Sequence, residues 1–193
     1  GDDRQANSCR HDEPEQGRDA AHSAIEKTAK LSGKILEKFI QDPSPEVRKR
    51  TIELLAKRPE KIPLNILDDK DSLVVETACW AIGEKENPIP QLINKLCLIA
   101  DSHEDQLCRE AAVASLGAIG SPLGLETILA ALKDKPAIRR RAVIALAAFE
   151  DPRVDEALKK SLDDRDWQVR QIAEDLLDAN RVITHVDIGP RPN

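Results

Sequence analysis

The side chains that could do chemistry are few and far apart. Of four histidines, only His103 stands before a glutamate, Glu104; His11 precedes Asp12, His22 precedes Ser23 and His185 precedes Val186. One His-Glu pair and three isolated histidines supply too few neighbouring ligands for a transition metal, so no resident metal is expected. Cys9, Cys79, Cys97 and Cys108 show no CxxC or Cys/His ligand spacing, and three of them fall where helices need small apolar residues. Reduced, buried thiols are therefore expected rather than a disulfide or zinc site. There is no Ser/His/Asp order, no phosphate-binding glycine loop and no HExxH helix, hence no catalytic residue and no cofactor site to name. A triad assembled in space from distant positions stays open.

The densest charge is Arg139-Arg140-Arg141, with Lys133 and Lys135 nearby. Such a cluster could meet phosphate, but Glu150 and Asp151 belong to the same unit and no aromatics are interleaved. Arg48, Lys49 and Arg50 form a separate cluster three units away. A solvated helix start is the simpler reading, and nucleic-acid binding through a local basic patch is a third-ranked alternative.

What must position these residues is a repeat. Five stretches share an apolar anchor, at Val47, Val74, Cys108, Ile138 and Val169, followed by alanine-like and leucine-like residues four, seven and eight positions on. Successive anchors lie 27, 34, 30 and 31 residues apart. That period predicts stacked helical units, none able to bury its apolar face alone. Helices led by Pro63, Pro90, Pro122 and Pro152 are expected to be short and to alternate with anchor-bearing helices that begin near Asp71, Asp105, Pro136 and Asp166. In the first unit a helix is expected from Asp19 to Gln41, stopped by Asp42-Pro43-Ser44-Pro45. The second unit departs from the pattern, with Val75 where arginine is expected and a short first helix from Glu60 to Leu67, so an irregular junction belongs there.

Composition agrees with close helix packing. The 193 residues include two Phe, two Trp and no Tyr, so Leu, Ile, Val and Ala must fill the core. The net charge of −6 argues against a generally basic nucleic-acid surface. Residues 1–20 are polar and acidic and read as a disordered tail; 21–180 read as the solenoid and 181–193 as a second tail, with VITHVDI from Val182 the single weak strand candidate. No apolar run could cross a membrane and no charged-then-apolar leader opens the sequence, so a cytoplasmic protein is expected, a removed leader staying open because the chain begins with Gly1.

The segment Asp164-Arg165-Asp166-Trp167-Gln168-Val169-Arg170, followed by Ala173, Leu176 and Leu177, resembles HEAT repeats of the short bacterial, phycobilisome-lyase type. The resemblance covers roughly residues 21–180. It implies an all-α fold, a right-handed α-α superhelix of about five helix pairs. It also implies that Arg48, Arg109, Arg139 and Arg170 bond turn acids of adjacent repeats, with Asp42, Asp69, Asp134 and Asp164 as the available acids. Two enzyme precedents exist among similar repeat proteins. A bilin-lyase-like accessory factor is one; the other is deoxyhypusine hydroxylase, whose His-Glu pairs recur on several helices where this chain has one. DNA glycosylases of this type use a basic, aromatic-lined face, which this acidic chain lacks. His103 is expected to fill a turn slot that carries an acid in other repeats.

If offsets zero, four, seven and eight from each anchor face the stack, offsets two, six and ten face away. In the middle repeats those positions hold Trp80, Ala114, Ala118, Ile144 and Ala148, beside Glu76, Glu110 and Arg140. Two arrangements fit: a partner groove, or a strip that tight curvature buries. Trp167, two residues before its anchor, is expected to pack across its turn. The expected function is a non-enzymatic scaffold that holds a protein or peptide on this open face. The partner's identity and the oligomeric state are beyond the sequence.

Overall fold

Aspartate and proline set where the helices begin. The computed structural model describes residues 33–186, with side chains to residue 180. Its α-helices are α1 (Gly33–Phe39), α2 (Pro45–Ala56), α3 (Ser72–Gly83), α4 (Pro90–Ser102), α5 (Gln106–Ile119), α6 (Leu125–Ala131), α7 (Pro136–Leu146), α8 (Pro152–Ser161) and α9 (Trp167–Val186). Short 3-10 helices, Leu64–Asp68 and Pro122–Gly124, precede α3 and α6. Asp71, Asp105, Asp151 and Asp166 each accept a bond from the N–H two residues on, 2.8–2.9 Å away, satisfying one exposed helix-start donor. Pro45, Pro90, Pro136 and Pro152 open helices at positions where the missing N–H costs nothing.

The chain divides after Glu37, within α1. The described residues after Glu37 form a two-layer stack. The anchor-bearing helices form one layer, in which α2 packs on α3, α3 on α5, α5 on α7 and α7 on α9. The Leu64–Asp68 turn, α4, α6 and α8 cover one side of that layer. This is an all-α superhelical repeat fold, and no strand occurs among the described residues. Nor is any described helix long and apolar enough to cross a membrane.

The repeated residues make the core. Val74, Cys108, Ile138 and Val169 are buried, as are Ala78, Ala112, Ala142 and Ala173 four residues on. Offset five is buried too, at Ile52, Cys79, Val113 and Val143, so the covered arc of each helix is wider than the four-position pattern suggested. Small residues let the anchor helices approach. A Cβ on Gly117 would lie 2.6 Å from the Cβ of Ala145 in α7, and one on Gly83 would lie 3.1 Å from the Ser115 hydroxyl in α5.

Three expectations change. Pro90 leads a helix of 13 residues rather than a short one. In the second repeat the first helix shrinks to the five-residue 3-10 turn Leu64–Asp68. The last helix runs to Val186, so the expected tail from 181 begins inside α9 and the strand candidate at Val182 is helical over its first five residues. The expected tail over 1–20 lies outside the described residues, as does most of the helix expected from Asp19.

Candidate functional site

Two edges of the anchor-helix layer carry the unusual side chains. At the turns, the arginines of three repeats fork in two directions. Arg48 donates to both carboxylate oxygens of Asp69 at 2.7 Å, and to the carbonyls of Asp42 and Pro43 in its own turn. Arg109 reaches Asp134 at 3.0 and 3.3 Å and the carbonyls of His103 and Glu104. Arg139 reaches Asp164 twice at 2.8 Å and the carbonyl of Asp134. Each pair is largely shielded from water, where paired, charge-assisted bonds count for most. Arg48 and Arg139 are held above the usual guanidinium value by these carboxylates. Asp164 is held below its ordinary value, chiefly by Arg139. Burial pushes Asp69 and Asp134 up, but the arginine and backbone donors outweigh it and both end low.

The ladder has one blank rung and one open end. At the blank rung Val75 replaces the arginine and is buried, while His103 replaces the acid. The Nδ1 of His103 accepts the N–H of Asp105 at 3.1 Å, the bond that the carboxylates of Asp69 and Asp164 make to Asp71 and Asp166. Both partners are absent together, so neither charge is stranded. At the open end, among the described residues, Arg170 bonds only the carbonyls of Asp164 and Arg165. Asp42 contributes its carbonyl, and its carboxylate turns to the N–H of Ser44.

The basic cluster is consumed by the same framework. Arg139 is a rung, Arg140 donates to Gln168, and Arg141 pairs with Glu110 at 3.0 Å. Lys85 is also spent, its ammonium donating to the carbonyls of Leu55, Arg58 and, at 3.1 Å, Glu60; desolvation lowers its pKa. Among the described residues, no three His, Cys, Asp or Glu side chains gather closely enough to hold a metal ion. The thiols of Cys79 and Cys108 are buried, and burial pushes Cys108 up to about 11.

The other edge is the uncovered face of the anchor helices. Trp80 is 41% exposed and Ile144 49%, with Ala118 and Ala148 exposed and Ala114 half-buried. Curvature therefore does not bury this strip. Glu76 and Glu110 are half-buried beside it, and Arg140 is half-buried against Gln168. Two residues on this face went unnoticed in the sequence: Leu73 and Leu107, 53% and 49% exposed, one position before their anchors. They lie seven residues before Trp80 and Ala114, two turns down the same stripe, and that spacing was the available signal. Trp167 is a correction. It is 64% exposed rather than packed across the turn, because it is the first residue of α9 and lies outside the buried stripe of that helix.

A stack of this construction defines the class of the protein as an α-solenoid. Residues 93–178 match the family described as HEAT repeats. No curated protein matches the chain. Its fold is similar to that of the Escherichia coli protein YibA, with a TM-score of 0.63 and 17% identity over 92% of this chain. The chain spans 66% of YibA's length. It is also similar to a designed armadillo repeat protein in complex with the peptide (KR)4, with a TM-score of 0.58, 18% identity and coverage of 88% and 95% of the two chains. A second designed armadillo repeat protein gives a TM-score of 0.54 and 19% identity over 90% of this chain and 95% of that one.

Proposed function

We propose that the protein is a non-enzymatic binding scaffold that takes a protein or peptide segment along the uncovered face of α3, α5 and α7. One observation carries this reading. The middle repeats expose Leu73, Trp80, Leu107 and Ile144 on that face, where the first repeat has Glu53 and Lys57 and the last has Asp175. Large apolar side chains gathered on one surface are costly to leave in water and are typical of binding hot spots. The HEAT and armadillo architecture supports the reading, since a designed armadillo protein of similar fold holds a peptide. The basic cluster at Arg139 to Arg141 gives little support to nucleic-acid binding, because its guanidinium groups are taken up by Asp164, Gln168 and Glu110.

A photo-crosslinking amino acid placed at Trp80 in one version of the full chain, and at Leu98 of α4 in another, tests this. Both positions are exposed, but only the first lies on the proposed face. In lysate of the native cells, a discrete protein adduct at position 80 and none at 98 is the expected result. Equal labelling at the two positions would contradict the proposal.

A further inference from the structure

Along α3 the side chains of Glu76, Trp80 and Glu84 stand one helical turn apart, at i, i+4 and i+8. Residues so spaced are surface neighbours, with Cβ atoms about 5–6 Å apart. Among the described residues neither glutamate has an ion pair or side-chain hydrogen bond, whereas Glu110, the equivalent of Glu76 in α5, is paired with Arg141. Glu84 stands at the C-terminal cap of α3, where the helix's own carbonyls already make the field negative. Beside it opens a cavity of about 690 Å³ lined by Glu84, Glu86, Pro88 and Ala118 among others. Lys85 shares that lining, but its ammonium turns to the carbonyls of Leu55, Arg58 and Glu60 and makes no bond to either carboxylate.

We propose that this Glu76–Trp80–Glu84 row, with the adjoining cavity, is a subsite for the lysine or arginine side chain of an extended peptide bound on the uncovered face. The inference rests on the binding function proposed above and names the chemistry of the occupant. The aliphatic stem of the basic residue lies on the indole of Trp80, and its cation meets the ring face and the flanking carboxylates, which together favour a positive charge. The far end of the face sets the direction. Arg140, whose partner Gln168 is uncharged, lies on α7, so a cation placed there would meet like charge and is disfavoured. Neighbouring helix axes lie about 8–10 Å apart, so Trp80 and Ile144, two helices apart, are separated by roughly 16–20 Å. An extended chain at about 3.3 Å per residue covers that distance in about six residues. The occupant is thus a segment of about six residues, basic at the α3 end and apolar toward Ile144.

The test uses N-acetylated, C-amidated hexapeptides of alternating alanine and leucine that carry a Lys-Arg, Gln-Gln or Glu-Glu pair at one end or the other. Each is titrated calorimetrically into the full chain. The Lys-Arg peptide, in one of its two orientations, is expected to bind at least about tenfold more tightly than the Gln-Gln peptide and more tightly still than the Glu-Glu peptide. In the double variant Glu76→Gln/Glu84→Gln that preference should shrink to about threefold or less, with the Gln-Gln peptide still bound as in the parent. Trp80→Ala should weaken both. Thermal melts of each variant confirm that the fold persists. Equal binding of the Lys-Arg and Gln-Gln peptides, survival of the preference in the double variant, or no binding of any peptide would each overturn the basic-residue subsite. Crosslinking at position 80 decides separately whether the face binds protein at all.

Discussion

The turn edge and the uncovered face of the same five helices follow opposite rules. At the turn edge the same solution recurs, an arginine reaching forward to the next aspartate and back to its own turn carbonyls. Where one rung is lost, both partners are lost, as Val75 and His103 show. On the uncovered face nothing recurs. Equivalent positions hold Glu53, Trp80, Ala114, Ile144 and Asp175 in turn. Repetition marks what every unit needs in order to stack, and variation marks what this protein does with the stack.

The sharpest way to break this division compares two isoleucines of one helix. Ile138 is fully buried in α7, and Ile144 lies half-exposed on the open face. Ile138→Ala should cost about 2–5 kcal/mol of stability and Ile144→Ala about 1 kcal/mol or less, read from urea midpoints. Similar losses would mean that the face is core.

A smaller effect separates a complete rung from the open end of the ladder. Arg139→Ala removes a paired bond to Asp164 and leaves that shielded carboxylate without its partner, which should cost about 1–3 kcal/mol. Arg170→Ala removes bonds to two carbonyls at an exposed site and should cost about 0.5–1 kcal/mol. If the two variants melt together, the acid partner contributes nothing to the rung.

Acid should act on the same edge. Asp69, Asp134 and Asp164 are all held below their ordinary values in the folded protein, so folded carboxylates take up protons at lower pH than unfolded ones. Their contribution is fully present above about pH 4, the unfolded value, and is lost as pH falls through the lower folded values. Urea midpoints followed from pH 6 to pH 2 should fall most steeply below pH 4, and the fall should be shallower in Asp164→Asn. An unchanged profile in that variant would remove Asp164 from the account.

The same contrast explains what the sequence made legible. The anchors, the alanines four residues on and the ladder arginines could be read because each appears several times at helical spacing, so chance matches cancel. The turn acids were visible, but which one each arginine grips depends on the offset between stacked repeats, and Asp42 turns out to offer its carbonyl. Offset five was missed because the covering layer of α4, α6 and α8 spreads the buried arc beyond a narrow stripe. On the open face, Trp80 and Ile144 could be placed by helical phase alone, whereas Leu73 and Leu107 sit ahead of the anchors where no repeat was sought. Trp167 misled because an aromatic beside a turn suggests packing, and only the path of the chain into α9 shows the indole facing water.

The face itself is tested most directly at Trp80. In a Trp167→Phe background its fluorescence reports one site, and acrylamide is the suitable quencher, since iodide would be repelled by Glu76 and Glu84. An accessible Trp80, together with a Trp80→Ala variant whose stability stays within about 1 kcal/mol of the parent, is the result expected of a side chain held out for a partner. A shielded, blue-shifted Trp80 whose truncation costs about 3–5 kcal/mol would make it a core residue and contradict the binding face.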